Sequence, residues 1–498
     1  MKHNSQQDMN NSKTLDSTLW NKDLAPIISK NKNWKIYNLA ALWMCMSITI
    51  PTYMVGSYTI SSGLNWWQSS LVVMSASIIA WLLLIIVGSI GVKYGIPFPV
   101  MLRASFGVRG ARVAALLRAA VACGWFGVCT WIQGTAFYII LKHFFSVGHL
   151  GEVFGINILE VGSILLFFFV QIYIIKKGIT VIKWIEAVAA PLLLFAVIVL
   201  LVWGVLKTGS LANILSASHQ LSHKIHANYW AVFWVDVGVV FASWAAVILN
   251  VCDFTRYVAE QKDQMIGQFI GLVPTSALFV LVGIINTCAT IIIFGYPIWN
   301  PLALLDEINS PIFVLSISSI IIISALALNM GANVVAAAND FSNLYPGRIS
   351  FKLGGYIAAI VGILLFPWKT ILTNQYFVFY WILSYSTVIM ALLGVIISDY
   401  YIVSKRIIYL EDLYILNGKY YYNSGWNWVA FVSILIAVIP VVPGAIISMG
   451  DFRQSVILSW FVFLYKFGWI ISFFISSTVY VFIMKLISHH TQERGLLC

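Results

Sequence analysis

The chain has 498 residues, of which 60% are hydrophobic and only 9% charged, with a mean hydropathy of +0.90 and a formal net charge of +11. A soluble globular protein carries roughly 25% charged residues, so this chain cannot cover a water-facing surface of its size, and lipid must face much of it. The 29 Lys and Arg fall mostly between apolar runs, a pattern of membrane topology rather than of nucleic-acid contact, and no nucleic-acid partner is expected.

Residues 1–35 are polar and contain no apolar leader. They read as a cytosolic arm, disordered or loosely docked, with the first membrane helix as an uncleaved anchor. A spanning helix needs about 20 apolar residues. Such runs predict an all-α polytopic protein of twelve transmembrane helices, at 36–62, 68–92, 111–142, 159–176, 182–206, 229–250, 265–295, 311–335, 354–374, 375–398, 427–447 and 456–485. Residues 36–398 would form a core of ten helices, 399–426 a cytosolic loop, 427–485 two further helices and 486–498 a cytosolic tail. No polar linker marks the boundary at 374/375. With the N-terminus inside, the cytosolic segments collect Lys93, Arg103, Arg109, Arg112, Lys176, Lys177, Lys183 and Arg256, whereas the external ones hold Lys142, Lys207, Lys224, Lys369 and Arg453. Positive charge gathers on the cytosolic side, so both termini are expected there.

The first span carries Thr49-Ile50-Pro51-Thr52, and the sixth carries Asp236-Val237-Gly238 and later Ala242-Ser243-Trp244. Proline removes a helix donor, and unwound backbone at that depth survives only where protein or a watery cavity satisfies it. Spans 1 and 6 hold matching places in two five-helix halves, and interrupted helices so placed point to a transporter binding site. A simple kink in each is the competing reading. No sequence repeat is visible between the halves.

In the third span Trp125, Cys129 and Gln133 are spaced i, i+4, i+8 and share one face. An indole and an amide on one stripe suit a flat polar ligand. The residues alone slightly favour the competing reading, in which Trp125 packs as core and Gln133 bonds a neighbouring helix. Asn329 and Asn333, again i, i+4 in the eighth span, are either glue or ligand readers, with Gly331 and Ala332 between them allowing close helix approach. Asp236 is an intramembrane carboxylate and therefore a candidate for proton coupling, unless it is solvated at the outer end of its span. Arg118 is expected to snorkel to the cytosolic interface, and Glu186 and Asp253 to be solvated or salt-bridged there.

The six cysteines (Cys45, Cys123, Cys129, Cys252, Cys288, Cys498) form no CxxC pair, so neither a disulfide framework nor a zinc site is expected. No nucleotide-binding, nucleophile-elbow or zinc-protease motif occurs. The expectation is a non-enzyme without cofactor or bound metal.

Several stretches together resemble the nucleobase–cation symporter family 1, within the class that shares the leucine-transporter fold. They are Trp34 through Tyr53, Lys93 through Ala111, Gly124-Trp125-Phe126-Gly127, Leu249 through Tyr257, Phe366-Pro367-Trp368-Lys369, and Ser398 through Leu413. The likeness covers about residues 20–425 and looks strongest to the bacterial allantoin and hydantoin branch. It implies a 5+5 inverted repeat plus two C-terminal helices, with spans 1 and 6 broken. It also implies a planar heterocycle held between two tryptophans, which match Trp125 and Trp244, and read by an Asn that matches Asn333. Ser243 stands where relatives have Gly, Cys129 where they have the ligand-reading Gln, and Thr49 where the first span carries an amide. Gln133, one turn on, could take the place of that Gln. The cation-site positions match the carbonyls of Cys45, Ile48 and Ser324 and the hydroxyl positions Ala327 and Leu328, where no hydroxyl remains. Three carbonyls make a thin sodium cage, so proton coupling is favoured over sodium. A gating Gly-Pro of the tenth span is Met390-Ala391 here.

The expected function is a monomeric secondary active importer of a small planar nitrogen heterocycle: a nucleobase, allantoin or hydantoin. The expected location is a bacterial cytoplasmic membrane. A permease for a thiamine- or pyridoxine-like vitamin and a non-transporting ligand sensor are the alternatives.

Overall fold

The computed structural model describes residues 16, 18–145, 151–153, 155–223, 228–298, 300–307, 310–365, 368, 377–449 and 456–495. In chain order the helices are α1 Ile36–Ser47, α2 Ile50–Ser61, α3 Trp66–Tyr94, α4 Phe98–Phe106, α5 Gly110–Phe145, α6 Ile158–Lys177, α7 Ile179–Thr208, α8 Leu211–His223, α9 Tyr229–Leu249 and α10 Cys252–Thr255. There follow α11 Gln261–Phe294, α12 Pro301–Glu307, α13 Pro311–Leu328, a π segment Asn329–Val334, α14 Val335–Leu344, α15 Phe351–Leu364, α16 Phe377–Ser398, α17 Trp428–Val438, α18 Val442–Met449, α19 Val456–Lys466 and α20 Gly468–Gly495. One two-residue hairpin, Glu152–Val153 with Ile156–Asn157, is the only sheet among the described residues.

Nine helices among the described residues are long and apolar enough to cross a membrane, and two bent pairs, α1–α2 and α17–α18, raise this to eleven. Of the shorter apolar helices, Phe351–Leu364 falls on the expected ninth span, whereas Ile457–Lys466 is the first part of the expected twelfth, whose remainder, Gly468–Ile487, is already among the nine. The boundary at 374/375 lies outside the described residues, as do Lys224, Lys369, Arg453 and Cys498.

The first span is broken as expected, with a bend of 61° between its halves. Pro51 is not itself the lesion. It sits in the first turn of α2, where a missing N–H costs nothing. Thr49, in extended conformation, caps that turn by accepting from the Thr52 N–H at 3.4 Å. Upstream, Ser47 Oγ donates to the Trp43 carbonyl at 2.7 Å and the Gly271 carbonyl at 3.1 Å, so the polar groups near the break find protein partners.

The break expected in the sixth span at Asp236–Gly238 is absent. Residues 229–249 form one continuous helix, and non-helical backbone begins only at its C-cap, Asn250. Gly238 serves close packing instead. A Cβ there would lie 2.5 Å from Trp469 Nε1, so glycine lets α20 approach α9. The eighth span carries a different irregularity that the sequence did not announce, the π turn at Asn329–Val334.

The arm of residues 1–35, expected to be disordered or loosely docked, is docked over its described part. Leu19 and Leu24 are buried, the Ile27 N–H donates to the Gly95 carbonyl at 2.8 Å, and Arg256 Nη1 donates to the Asp23 carbonyl at 2.8 Å.

Candidate substrate cavity

Four elements meet at one cavity, of about 580 Å3 including its mouth. The α1–α2 break contributes Met46, Thr49, Pro51 and Thr52. The third span, α5, contributes Arg118 and Trp125. The sixth, α9, contributes Ser243, Trp244, Ala246 and Val247, and the eighth contributes Leu328, Ala332 and Asn333. The lining, mostly apolar with a few polar groups, is of the kind usual in small-molecule sites.

Of the eight candidate substrate residues, Trp125, Trp244, Asn333, Thr49 and Ser243 line this cavity. The Trp125 indole donates to Tyr385 Oη at 3.3 Å and packs on Trp381 with ring centroids 5.1 Å apart. Trp244 leans on Trp43 at 6.0 Å. Both indoles are thus held by neighbouring aromatics, which fixes a stacking surface in advance of a ligand. Asn333 Nδ2 donates to Asn329 Oδ1 at 2.9 Å and approaches Cys129 Sγ at 3.9 Å.

Cys129, Gln133 and Asn329 are not among the cavity-lining residues. Asn329 is the hub behind the wall: its Nδ2 donates to the Phe126 carbonyl at 3.1 Å and to Gln171 Oε1 at 2.5 Å. Gln133 is fully buried and turns its amide back onto its own helix, donating to the Cys129 carbonyl at 3.1 Å. It therefore does not occupy the place of the missing Gln. The i, i+4, i+8 stripe is real, but its members sit at different depths, and only Trp125 reaches the cavity.

Of the expected cation-site positions, Ser324 and Ile48 are in direct contact. Ser324 Oγ donates to the Ile48 carbonyl, and Cys45 Sγ lies 3.5 Å from the Glu186 carbonyl. Ala327 is buried, and Leu328 faces the substrate cavity. The hydroxyl of Ser324 itself thus uses a carbonyl that a cation would need.

Three ionisable groups are placed differently from expectation. Arg118 does not snorkel. It is 1% exposed, with Nε donating to the Ala246 carbonyl at 2.9 Å and to Asn250 Oδ1 at 3.0 Å, and Nη2 donating to the Ala332 carbonyl at 2.9 Å. The missed signal lay in its neighbours. Ala114, Ala115 and Ala122, one turn away on either side, form a buried face, and a residue on such a face packs inward. Glu186 is buried against Gly331 rather than solvated. Asp253, in α10 between two spans, is buried too. Its Oδ1 accepts from the Phe98 N–H at 3.0 Å and its Oδ2 from Asn250 Nδ2 at 3.3 Å. Burial pushes this carboxyl up to about 6, against the opposing pull of Arg256.

Asp236 lies at a second cavity, lined also by Tyr58, Ser62 and Lys466. It is 2% exposed, so it is not a solvated surface group, and Ser62 and Tyr58 are its hydrogen-bonding partners.

A bundle of broken and continuous spans around a central apolar cavity defines a membrane transporter of the leucine-transporter fold. The comparisons narrow this class. A model of the permease family for cytosine/purines, uracil, thiamine and allantoin matches residues 26–476. The chain is 35% identical to the purine-uracil permease NCS1 of Arabidopsis thaliana, over 95% of this chain and 78% of that one. It is 33% identical to the allantoin permease of Bacillus subtilis, over 95% of each. In structure it superposes with a TM-score of 0.77 on Mhp1, a nucleobase-cation-symport-1 family transporter solved in a closed conformation with bromovinylhydantoin bound, at 23% identity over 95% of this chain and 96% of that one. The chain belongs to the nucleobase–cation symporter family 1 and is a multi-pass membrane transporter, not an enzyme.

Proposed function

We propose that this chain imports a small planar nitrogen heterocycle of the allantoin, hydantoin or nucleobase type, by proton-coupled alternating access. In this reading it acts as a monomer in a bacterial cytoplasmic membrane, with both termini inside. The observation that carries the reading is the convergence of Trp125, Trp244 and Asn333 on one cavity beside the broken first span. Two indoles suit the faces of a flat ring, and an amide suits its polar edge. Further support comes from relatives named as permeases for allantoin, purine and uracil.

Proton coupling is supported by the fate of the cation positions. Ala327 and Leu328 offer no hydroxyl, and Ser324 occupies the Ile48 carbonyl. Hard cations need several oxygen ligands. Asp236, buried and on the sixth span, is the proposed proton carrier. Asp236→Asn should abolish accumulation against a gradient while leaving exchange of external for internal substrate intact. Loss of both activities alike would remove Asp236 from the coupling role.

The test of the function is uptake of radiolabelled allantoin, hydantoin, uracil, cytosine, adenine and hypoxanthine by cells expressing the protein, with and without sodium and with a protonophore. One compound should accumulate without sodium and fail to accumulate with the protonophore. Accumulation that requires sodium would overturn the proton assignment, and no accumulation of any compound would overturn the substrate class.

A further inference from the structure

The second and tenth spans end side by side, and three cations gather there. Lys93 stands in the last turn of α3, and Lys405 and Arg406 follow the π turn Asp399–Val403 that closes the tenth span. Lys93 Nζ donates to the Arg406 carbonyl at 2.7 Å, and Tyr94 Oη donates to the same oxygen at 3.0 Å. Tyr401 Oη ties the two spans again by donating to the Ile86 carbonyl at 2.9 Å. All three cations are exposed, and none of them forms an ion pair among the described residues. Asp399, which precedes Lys405, is buried and accepts from Ser105 Oγ at 2.8 Å and Tyr480 Oη at 3.0 Å. Glu411 and Asp412, which follow Arg406, pair with none of the three.

The chain is held in place around these charges. Lys405 and Arg406 have φ of 49° and 63°, a left-handed region that glycine enters without strain and other residues do not. Backbone strain of this kind persists only where the surroundings enforce it. Here the Lys93 and Tyr94 bonds to the Arg406 carbonyl do so, together with the Arg406 N–H, which donates to the Tyr400 carbonyl at 2.7 Å. Two rings steady the charged heads. The Arg406 guanidinium lies 5.0 Å from the Tyr401 ring centroid, and Lys93 Nζ lies 4.9 Å from that of Tyr94. Like charges gathered without a counter-charge repel one another, and an anion among them would relieve that repulsion.

The surface that leads to the cations is apolar. Trp67, Leu71, Met74, Ile78 and Leu82 are exposed on α3, at spacings that form one stripe. Lys93 lies about three turns beyond Leu82 on the same face. Ile402 and Ile407 are exposed on either side of Lys405 and Arg406. An apolar stripe that ends in cations matches the two ends of a phospholipid, with the acyl chain on the stripe and the phosphate at the charges. We propose that Lys93, Lys405 and Arg406 bind the phosphate of an anionic phospholipid whose acyl chain lies along the α3 stripe. Arg406 offers the phosphate a planar fork, and the two lysines offer point charges. The headgroup is anionic rather than zwitterionic because the three cations have no carboxylate among them to receive an ammonium. Basic patches between span ends hold anionic headgroups by this physics.

The test is native mass spectrometry of the full-length protein in detergent, titrated with phosphatidylglycerol or with phosphatidylcholine of the same acyl chains. The affinity of the first bound lipid is the readout. The unaltered protein should bind phosphatidylglycerol at least about tenfold tighter than phosphatidylcholine. Lys93→Gln, Lys405→Gln and Arg406→Gln combined should weaken phosphatidylglycerol binding by about a hundredfold and leave phosphatidylcholine binding unchanged. Lys176→Gln with Lys177→Gln, at the end of the fourth span, should change phosphatidylglycerol binding by less than about threefold. Equal affinity of the two lipids for the unaltered protein, or a preference that survives in the triple variant, overturns the proposal. If the triple variant does not fold, Lys405→Gln decides, because no hydrogen bond from the Lys405 side chain supports the fold among the described residues. It should weaken phosphatidylglycerol binding by about fivefold, and unchanged binding overturns the proposal. Free glycerol phosphate in excess should not displace the lipid, and displacement by it would overturn the lipid assignment in favour of a soluble phosphate ester.

Discussion

A short hydrogen-bonded series runs from Arg118 at the cavity to the start of α4. Arg118 Nε donates to Asn250 Oδ1, Asn250 Nδ2 to Asp253 Oδ2, and the Phe98 N–H to Asp253 Oδ1. Asp253 therefore anchors the start of α4 while it supports the residue that supports Arg118. Its carboxyl, raised by burial to about 6 from an ordinary 3.8, prefers its protonated form more in the folded protein than in the unfolded chain. The stability from that preference is full below about pH 4 and is lost as pH rises through about 6. Asp253→Asn keeps an oxygen for the Phe98 N–H and removes the titration. Between pH 4 and 7 the melting temperature of the detergent-solubilised protein should fall about 2 °C further than that of the variant. Parallel profiles would show that Asp253 does not titrate in this range. At the cavity wall, Trp125→Ala should weaken heterocycle binding by about tenfold to a hundredfold, the usual worth of ring stacking, and unchanged binding would exclude Trp125 from the site.

At the level of elements, what the sequence disclosed depended on how local the cause was. The break in the first span was legible because Thr49 and Pro51 are local capping and first-turn signals. The sixth span was misread because Gly238 resembles a helix breaker in one dimension, and only the approach of Trp469, more than two hundred residues away, reveals its packing role. The π turn at Asn329–Val334 has no composition of its own. Such turns are frequent at functional sites, and this one leaves the Ala332 carbonyl for Arg118 and brings Asn333 to the cavity. Gln133 shows the limit of periodicity, which gives the face of a helix but not the depth at which a side chain finds a partner. Helix contact is equally specific between the first and seventh spans. A Cβ on Gly271 would lie 2.5 Å from the Ala40 carbonyl and 2.6 Å from Trp43 Cβ. Gly271→Leu should thus destabilise the protein by about 1–3 kcal/mol, read as a lower melting temperature. A melting temperature equal to that of the unaltered protein would mean that α1 and α11 can separate without cost.

For the whole molecule, the cavity is built by four spans, the broken first, the third, the sixth and the eighth. Arg118, on the third, bonds to both the sixth and the eighth. The proposed alternating access would open this cavity to either side in turn by rearranging these spans. The measurement that bears most directly on the central claim is uptake of labelled hydantoin and uracil into proteoliposomes under an imposed inward proton gradient. It would use the unaltered protein, Trp125→Ala, Trp244→Ala and Asn333→Ala, each verified to be folded. Saturable uptake by the unaltered protein, lost in all three variants, is the expected result. Undiminished uptake in the three variants would contradict the claim, because the substrate would then pass by some route other than this cavity.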